Sequence, residues 1–277
     1  MSVFATRERF LAGSVLSVLM LASLGSDATA QSASPPNFVN GAAWLLAGGE
    51  FKSVPGDTMK PVSQDPRHRY VPNNTSEQPT YRIGDVSNPN LKPWVAAAMK
   101  KDNDEVLAGK FAYTARSSCA PAGVPGFMTF PAQPIHFVQK PKQVLMLYQG
   151  NAEVRRIYMN VPHSTNPKPS FYGESVGRYD GDTLVIDTVG LNDKTFLDAY
   201  RTPHSDKLHV IERWRMSPDG QVMNVQMRIE DPDAFNQPFS ATTSYRRVPA
   251  EWQEAICAEN NGYFFQERVP TAAVADF

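Results

Sequence analysis

From residue 135 to residue 248, apolar and polar positions alternate in short runs separated by turn residues. "IHFVQ" (135–139) and "QVLMLYQ" (143–149) flank a Lys-Pro-Lys turn; "EVRRIYM" (153–159) follows; "ESVGRYD" (174–180) and "TLVIDTV" (183–189) flank Gly181. "LHVIERWRM" (208–216) and "QVMNVQMRI" (221–229) flank "SPDG", and "FSATTSYRRV" (239–248) ends the series. A two-residue period between turn signals marks a half-buried strand. Eight such runs, mostly hairpin-linked with no helix between them, predict a mainly β fold. The expected form is an antiparallel lipocalin-like (calycin-type) barrel, with a sandwich as the alternative.

Upstream the pattern changes. Residues 31–90 are rich in Pro, Asn, Ser and Gly and read as an extended arm, packed on the body through Trp44, Phe51 and Tyr81. Its one short apolar piece is Trp44-Leu45-Leu46. "NPNLKPWVAAAMKKDNDEVLAGK" then reads as a helix, with a polar start at Asn90, an early Pro, an Ala-rich body and a stop at Gly109. Ahead of the arm, Arg7 and Arg9, an apolar run over 10–25 and Ala28-Thr29-Ala30 have the form of a secretory signal peptide. The expected organisation is a signal peptide over 1–30, an arm over 31–90, and a single barrel domain with a leading helix over 91–277.

Export to the periplasm or the medium changes the reading of the two cysteines, Cys119 and Cys257. In an oxidising compartment they predict a disulfide. Two cysteines without clustered partners do not make a zinc site. The chain carries 27 basic and 28 acidic residues, a formal net charge of −1. Such a balance gives no field for a polyanion, so nucleic acid is not an expected partner. No later run is apolar enough to cross a bilayer, so no membrane association is expected after signal cleavage. Rossmann, P-loop and haem-attachment patterns are missing, and no cofactor is expected. The expected partner is a small-molecule ligand or substrate; a homo-oligomer stays open.

Alternation along the strands singles out individual side chains. In 208–214 one face carries Leu208, Val210, Glu212 and Trp214, and the other carries His209, Ile211 and Arg213. In 183–189 Asp187 shares a face with Thr183, Val185 and Val189. Glu212 and Asp187 therefore each interrupt an apolar row. A carboxylate there needs a partner, and burial tunes it toward acid–base work; a structural ion pair with a neighbouring arginine is the competing reading. His204 and His209 flank Asp206 in "TPHSDKLHV", and His163 lies in "VPHSTNP". A histidine beside a carboxylate is the usual proton-transfer pair. The H-x4-H spacing is a weak metal signal, and no metal site is expected. "GESVG" lacks the strand–turn–helix context of a serine nucleophile elbow.

Several segments, "RRIYMNVPH", "GESVGRYDGDTLVIDTVGLNDKTFLD", "PHSDKLHVIERW", "IEDPDAF" and "CAENN", resemble a family of uncharacterised secreted proteins of proteobacteria and acidobacteria. The likeness spans roughly residues 115–262 and rests on a GDTLVxDT…PHSxxLHxxER…CxEN pattern. His163, Asp182, Asp187, Asn192, His204, His209, Glu212, Arg213, Asp231, Cys257 and Glu259 fall on its motif positions. "NVPHS" and Tyr179-Asp180 depart from the family pattern, and the resemblance implies no particular activity.

The residues point to an exported, cofactor-independent lyase or isomerase that works by general acid–base catalysis on a small, partly apolar or aromatic molecule in the barrel. His209 or His204 is the expected acid–base, Asp187 or Glu212 its carboxylate partner, and Arg213 a stabiliser of negative charge. Tyr158, Tyr172, His163, Asn192 and Trp214 are expected to contact the substrate. A non-catalytic small-ligand carrier is the second reading and a metal-dependent hydrolase the third.

Overall fold

The computed structural model describes residues 35–72, 75–110, 112, 114–115, 119–129, 133–150 and 153–256. The expected signal peptide, Cys257 and Glu259 lie outside the described residues. So does the Cys119–Cys257 pairing.

The alternating runs form a barrel, with nine strands in the ring where the sequence reading counts eight. The strands are β1 (Ala42–Leu46), β2 (Lys52–Ser53), β3 (Ile135–Lys140), β4 (Gln143–Tyr148), β5 (Glu153–Met159), β6 (Glu174–Asp180), β7 (Thr183–Val189), β8 (His209–Met216), β9 (Val222–Glu230) and β10 (Phe239–Pro249). The ladder runs β1-β3-β4-β5-β6-β7-β8-β9-β10, and β10 pairs back onto β1, so the ring closes. β2 is an extra two-residue strand on β10.

The ninth stave corrects the arm. Trp44-Leu45-Leu46 belongs to β1, antiparallel to β10 from Ala42↔Pro249 to Leu46↔Tyr245. Five residues between Pro- and Gly-rich flanks carry little periodic signal; their partner strand holds them in place. The barrel is thus not confined to 91–277. The antiparallel rule also fails at one point. β5 and β6 run parallel, with Ile157 opposite Ser175 and Met159 opposite Gly177. The intervening segment, 160–173, crosses over instead of turning back, and it carries His163.

The interior is filled by side chains. Met223, Val225, Met227 and Ile229 line it from β9, each at most 1% exposed. Trp214 packs between Phe137 and Tyr245, with ring centroids 5.7 and 5.4 Å away. A 3-10 turn, Gly126–Thr129, is buried along its whole length, including Phe127 and Met128. The helix α1 (Pro93–Leu107) starts on its proline and buries Val95, Met99 and Val106. Gly109 follows with φ of +89°, a left-handed stop that glycine accepts without a Cβ penalty. Asn90 does not cap this helix; Lys92 is the N-cap residue. Instead Asn90 is buried and exchanges two 2.9 Å hydrogen bonds with the backbone of Gln237. Among the described residues no helix is long and apolar enough to cross a membrane.

Candidate functional site

The β6–β7 hairpin turns at Gly181 (φ +59°), a conformation suited to glycine. Asp180 pairs with Thr183 across the turn, so the register places Asp187 opposite Val176. On its other side Asp187 faces Ile211 of β8. One step along, Ile186 faces Glu212. Because successive side chains point to opposite faces, Asp187 and Glu212 lie on opposite sides of the wall. Glu212 points inward and is fully buried, whereas the Asp187 side chain is outward and 37% exposed. They cannot share one site, and the sequence reading of Asp187 as a core carboxylate is corrected. β7 is apolar on both faces, so its alternation does not reveal which row faces the core.

On the outer face Asp187 gathers two histidines. His163 Nε2 lies 3.0 Å and His209 Nε2 2.9 Å from the same oxygen, Asp187 Oδ1. The other nitrogens also meet carboxylates: His163 Nδ1 is 3.1 Å from Glu174 Oε1, and His209 Nδ1 is 3.5 Å from Glu230 Oε2. Ser164 N donates to Glu174 Oε1 at 2.7 Å, and Arg228 Nε donates to Glu230 Oε1 at 2.8 Å. The result is a row of alternating carboxylates and imidazoles, half-exposed and flanked by the half-buried apolar side chains of Val176 and Ile211. Glu174 and Glu230 are additions that the sequence reading missed. Glu230 was legible: the "SPDG" hairpin sets a register in which His209 faces Glu230.

The electrostatics follow from these contacts. The hydrogen bond from His209, joined by that from His163, holds the Asp187 carboxyl below its ordinary range despite partial burial. The same bond to Asp187, aided by the charge of Glu230, raises the His209 pKa against a smaller opposing effect of desolvation. Glu174 is lowered first by the Ser164 backbone N–H. Because the folded-state pKa of His209 is raised, its stabilising contribution is full below the ordinary histidine value of about 6.5 and fades as pH rises through the folded value. Asp187 has the reverse sign: its contribution is full above the ordinary aspartate value of about 3.9 and is lost as pH falls through the lowered one. NMR titration of His209 should therefore show a pKa above the ordinary value, and Asp187→Asn should bring it down. An unshifted His209 in the intact protein would refute the coupling.

Inside the barrel Glu212 has its own partner. Arg155 Nη1 donates to Glu212 Oε1 at 3.1 Å and Arg155 Nη2 to Oε2 at 2.5 Å, with both side chains at most 2% exposed. Arg155 also donates to Thr188 Oγ1 (2.8 Å) and Ser175 Oγ (3.2 Å), and the Phe127 ring lies against its guanidinium. This is a sealed ion pair, and it corrects Glu212 as a partner of His209. No family model, curated protein or solved structure matches the chain.

The other expected site residues separate from the cluster. His204 is 2% exposed; its Nδ1 donates to the Ser205 carbonyl (2.9 Å), so its Nε2 accepts from Thr195 Oγ1 (2.8 Å). Desolvation lowers its pKa, and both ring nitrogens are engaged away from the Asp187 cluster. Arg213 is on the outer face but pairs with Asp180 at 2.8 Å, toward the far end of the β6–β7 hairpin. Four residues of strand, roughly 13 Å, separate it from His209. Tyr172 donates to Glu153, and its pKa is raised well above the ordinary value by burial first and that carboxylate second, which makes it a poor proton donor. Tyr158 is exposed on β5, Trp214 is sealed in the core, and Asn192 accepts from Lys194 N (3.1 Å) in a local turn. Among the described residues no group of three or more His, Cys, Asp or Glu side chains is arranged to hold a metal ion.

Proposed function

We propose that the protein is an exported, cofactor-independent enzyme, a lyase or isomerase, that moves a proton on a small, partly apolar or aromatic molecule docked on the outer wall of the barrel. The supporting observation is the convergence of His163 and His209, from a crossover and a strand, on one carboxylate oxygen of Asp187. His209 is the acid–base. Its Nε2–H is held by Asp187, while the 3.5 Å approach of Nδ1 to Glu230 is longer than an ordinary N–H···O bond. That edge is the one a substrate atom can take over. The Nδ1 proton passes to the substrate, leaving neutral imidazole, which then accepts a proton from the substrate carbon. An isomerase closes the cycle in this way; a lyase differs only in giving the first proton to the leaving group. Asp187 stays a carboxylate and stabilises the imidazolium. His163, with both nitrogens at ordinary hydrogen-bond distance, positions Asp187. Val176 and Ile211 supply the apolar contact.

The test is incubation of the protein with a small-molecule extract in D2O, read by mass spectrometry. The expected product is an isomer that has gained deuterium, or a fragment or dehydrated compound from elimination, formed by the intact protein and not by His209→Ala. Formation of the same product by both would sink the assignment. The carrier reading draws on a different observation: Trp214 Nε1 and the Tyr245 hydroxyl are buried without partners, and a guest would satisfy them only if the packed interior opens to admit it. Recovery of an unchanged copurified compound, with no turnover of anything, would favour it. Export also carries the expected Cys119–Cys257 bridge; peptide mapping without reductant should recover the two as a cross-linked pair.

A further inference from the structure

β1 and β2 pair with the same edge of β10, and their registers do not match. Leu46 faces Tyr245, whereas Lys52 faces Thr242. Three steps along β10 therefore correspond to six along the β1–β2 chain, so three residues are looped out between them. The three extra residues are taken up within "AGGEF", residues 47–51. It is held at several points. Ala47 N donates to Ser244 O at 2.8 Å, Phe51 is 7% exposed, and Glu50 Oε1 accepts from the Tyr200 hydroxyl at 2.5 Å. A bulge that breaks a ladder and is then pinned from elsewhere in the chain re-aims side chains, as bulges beside binding sites do.

Here it walls a trough of about 440 Å³, within the size range of small-ligand sites. The floor is a grid of outward side chains from two adjacent strands, Asn224 opposite Ser244 and Gln226 opposite Thr242. Glu50 and Lys52 stand on the bulge side. The two charges cancel, so the trough selects neither an anion nor a cation by field. Its floor offers two amides and two hydroxyls, each able to donate and accept. Strand geometry spaces them about 5 Å across the ladder and roughly 7 Å along it.

We propose that this trough binds a small neutral polyhydroxy compound of sugar-like chemistry. Vicinal hydroxyls each donate and accept, and paired amide and carboxylate side chains match that pattern. An apolar ligand would leave the floor unsatisfied. The site is separate from the His163–Asp187–His209 cluster and stands whatever that cluster does. Isothermal titration and amide NMR on the full exported chain, with glucose and cellobiose as probes, test it. The expected result is saturable binding in the millimolar range with shifts centred on Gly48, Asn224 and Gln226. Gln226→Leu, at an exposed position, should weaken binding about tenfold with the melting temperature kept, and His209→Ala should leave binding unchanged. Absence of saturable binding of either sugar to the intact protein would overturn the proposal, as would binding indifferent to Gln226→Leu and Asn224→Leu, or a clear preference for a sugar phosphate over the neutral sugars.

Discussion

Glu212→Leu will destabilise the protein by about 3–5 kcal/mol, the usual cost of removing one partner from a buried ion pair. The guanidinium of Arg155 would stay behind in the core, 2% exposed, with the hydroxyls of Thr188 and Ser175 and the Met146 sulfur as its remaining hydrogen-bond partners. Neither hydroxyl carries charge, so the cation would be uncompensated. For a domain of this size the loss corresponds to a fall in melting temperature of roughly 10 °C. The paired replacement Arg155→Met with Glu212→Leu should recover most of the loss, because it removes both desolvation penalties together. Thermal and denaturant unfolding of the three variants checks this. A paired variant as unstable as Glu212→Leu would mean that the pair contributes net stability and is more than mutually compensating. The same prediction separates inside from outside: if turnover persists in folded Glu212→Leu protein, the interior carboxylate takes no part in the chemistry.

The second large effect concerns Asp187. Asp187→Asn keeps the size of the side chain but removes its charge and replaces one acceptor oxygen with a donor. Two histidine nitrogens now converge on Asp187 Oδ1. After the change the two nitrogens either share one neutral amide oxygen or, with the amide flipped, meet its NH2 and keep no acceptor; either way the imidazolium of His209 loses the carboxylate charge that is its main support. Turnover should fall by roughly 10²–10⁴-fold, the scale of a lost acid–base contribution. The side chain is 37% exposed, so the fold should be little affected. Arg213→Ala, which breaks only the exposed pair with Asp180, should leave turnover nearly unchanged.

The barrel was legible because strand period and turn chemistry agree along β3 to β10. β9 is the clearest case, with Met223, Val225, Met227 and Ile229 inside and Asn224, Gln226 and Arg228 outside. β1 was not legible, since five residues inside an irregular segment acquire their strand character from β10. The parallel β5–β6 contact was also hidden: it depends on the path of the 160–173 crossover, which has no periodic signal. At the site, His163, Asp187 and His209 were all picked as chemistry-bearing residues, and the structure brings them together. Glu212 and His204 were picked on the same grounds and stand apart. A buried carboxylate in an apolar row looks alike in sequence whether it meets a histidine or, as Glu212 does, an arginine. Face polarity misled at Asp187 because Leu184 and Ile186 on one side of β7, and Val185 on the other, are all nearly fully buried. Motif residues such as Asp231 hold loops, accepting from Ser205 N and Oγ at 2.7 Å.

Proton transfer by a His209 held by Asp187 is tested most directly by the rate of product formation in D2O by the intact protein, Asp187→Asn, His209→Ala and Arg213→Ala, each first shown to be folded. Deuterium-labelled or eliminated product is expected from the intact protein and from Arg213→Ala, with the rate collapsing in Asp187→Asn and His209→Ala. Equal rates in all four proteins would contradict it.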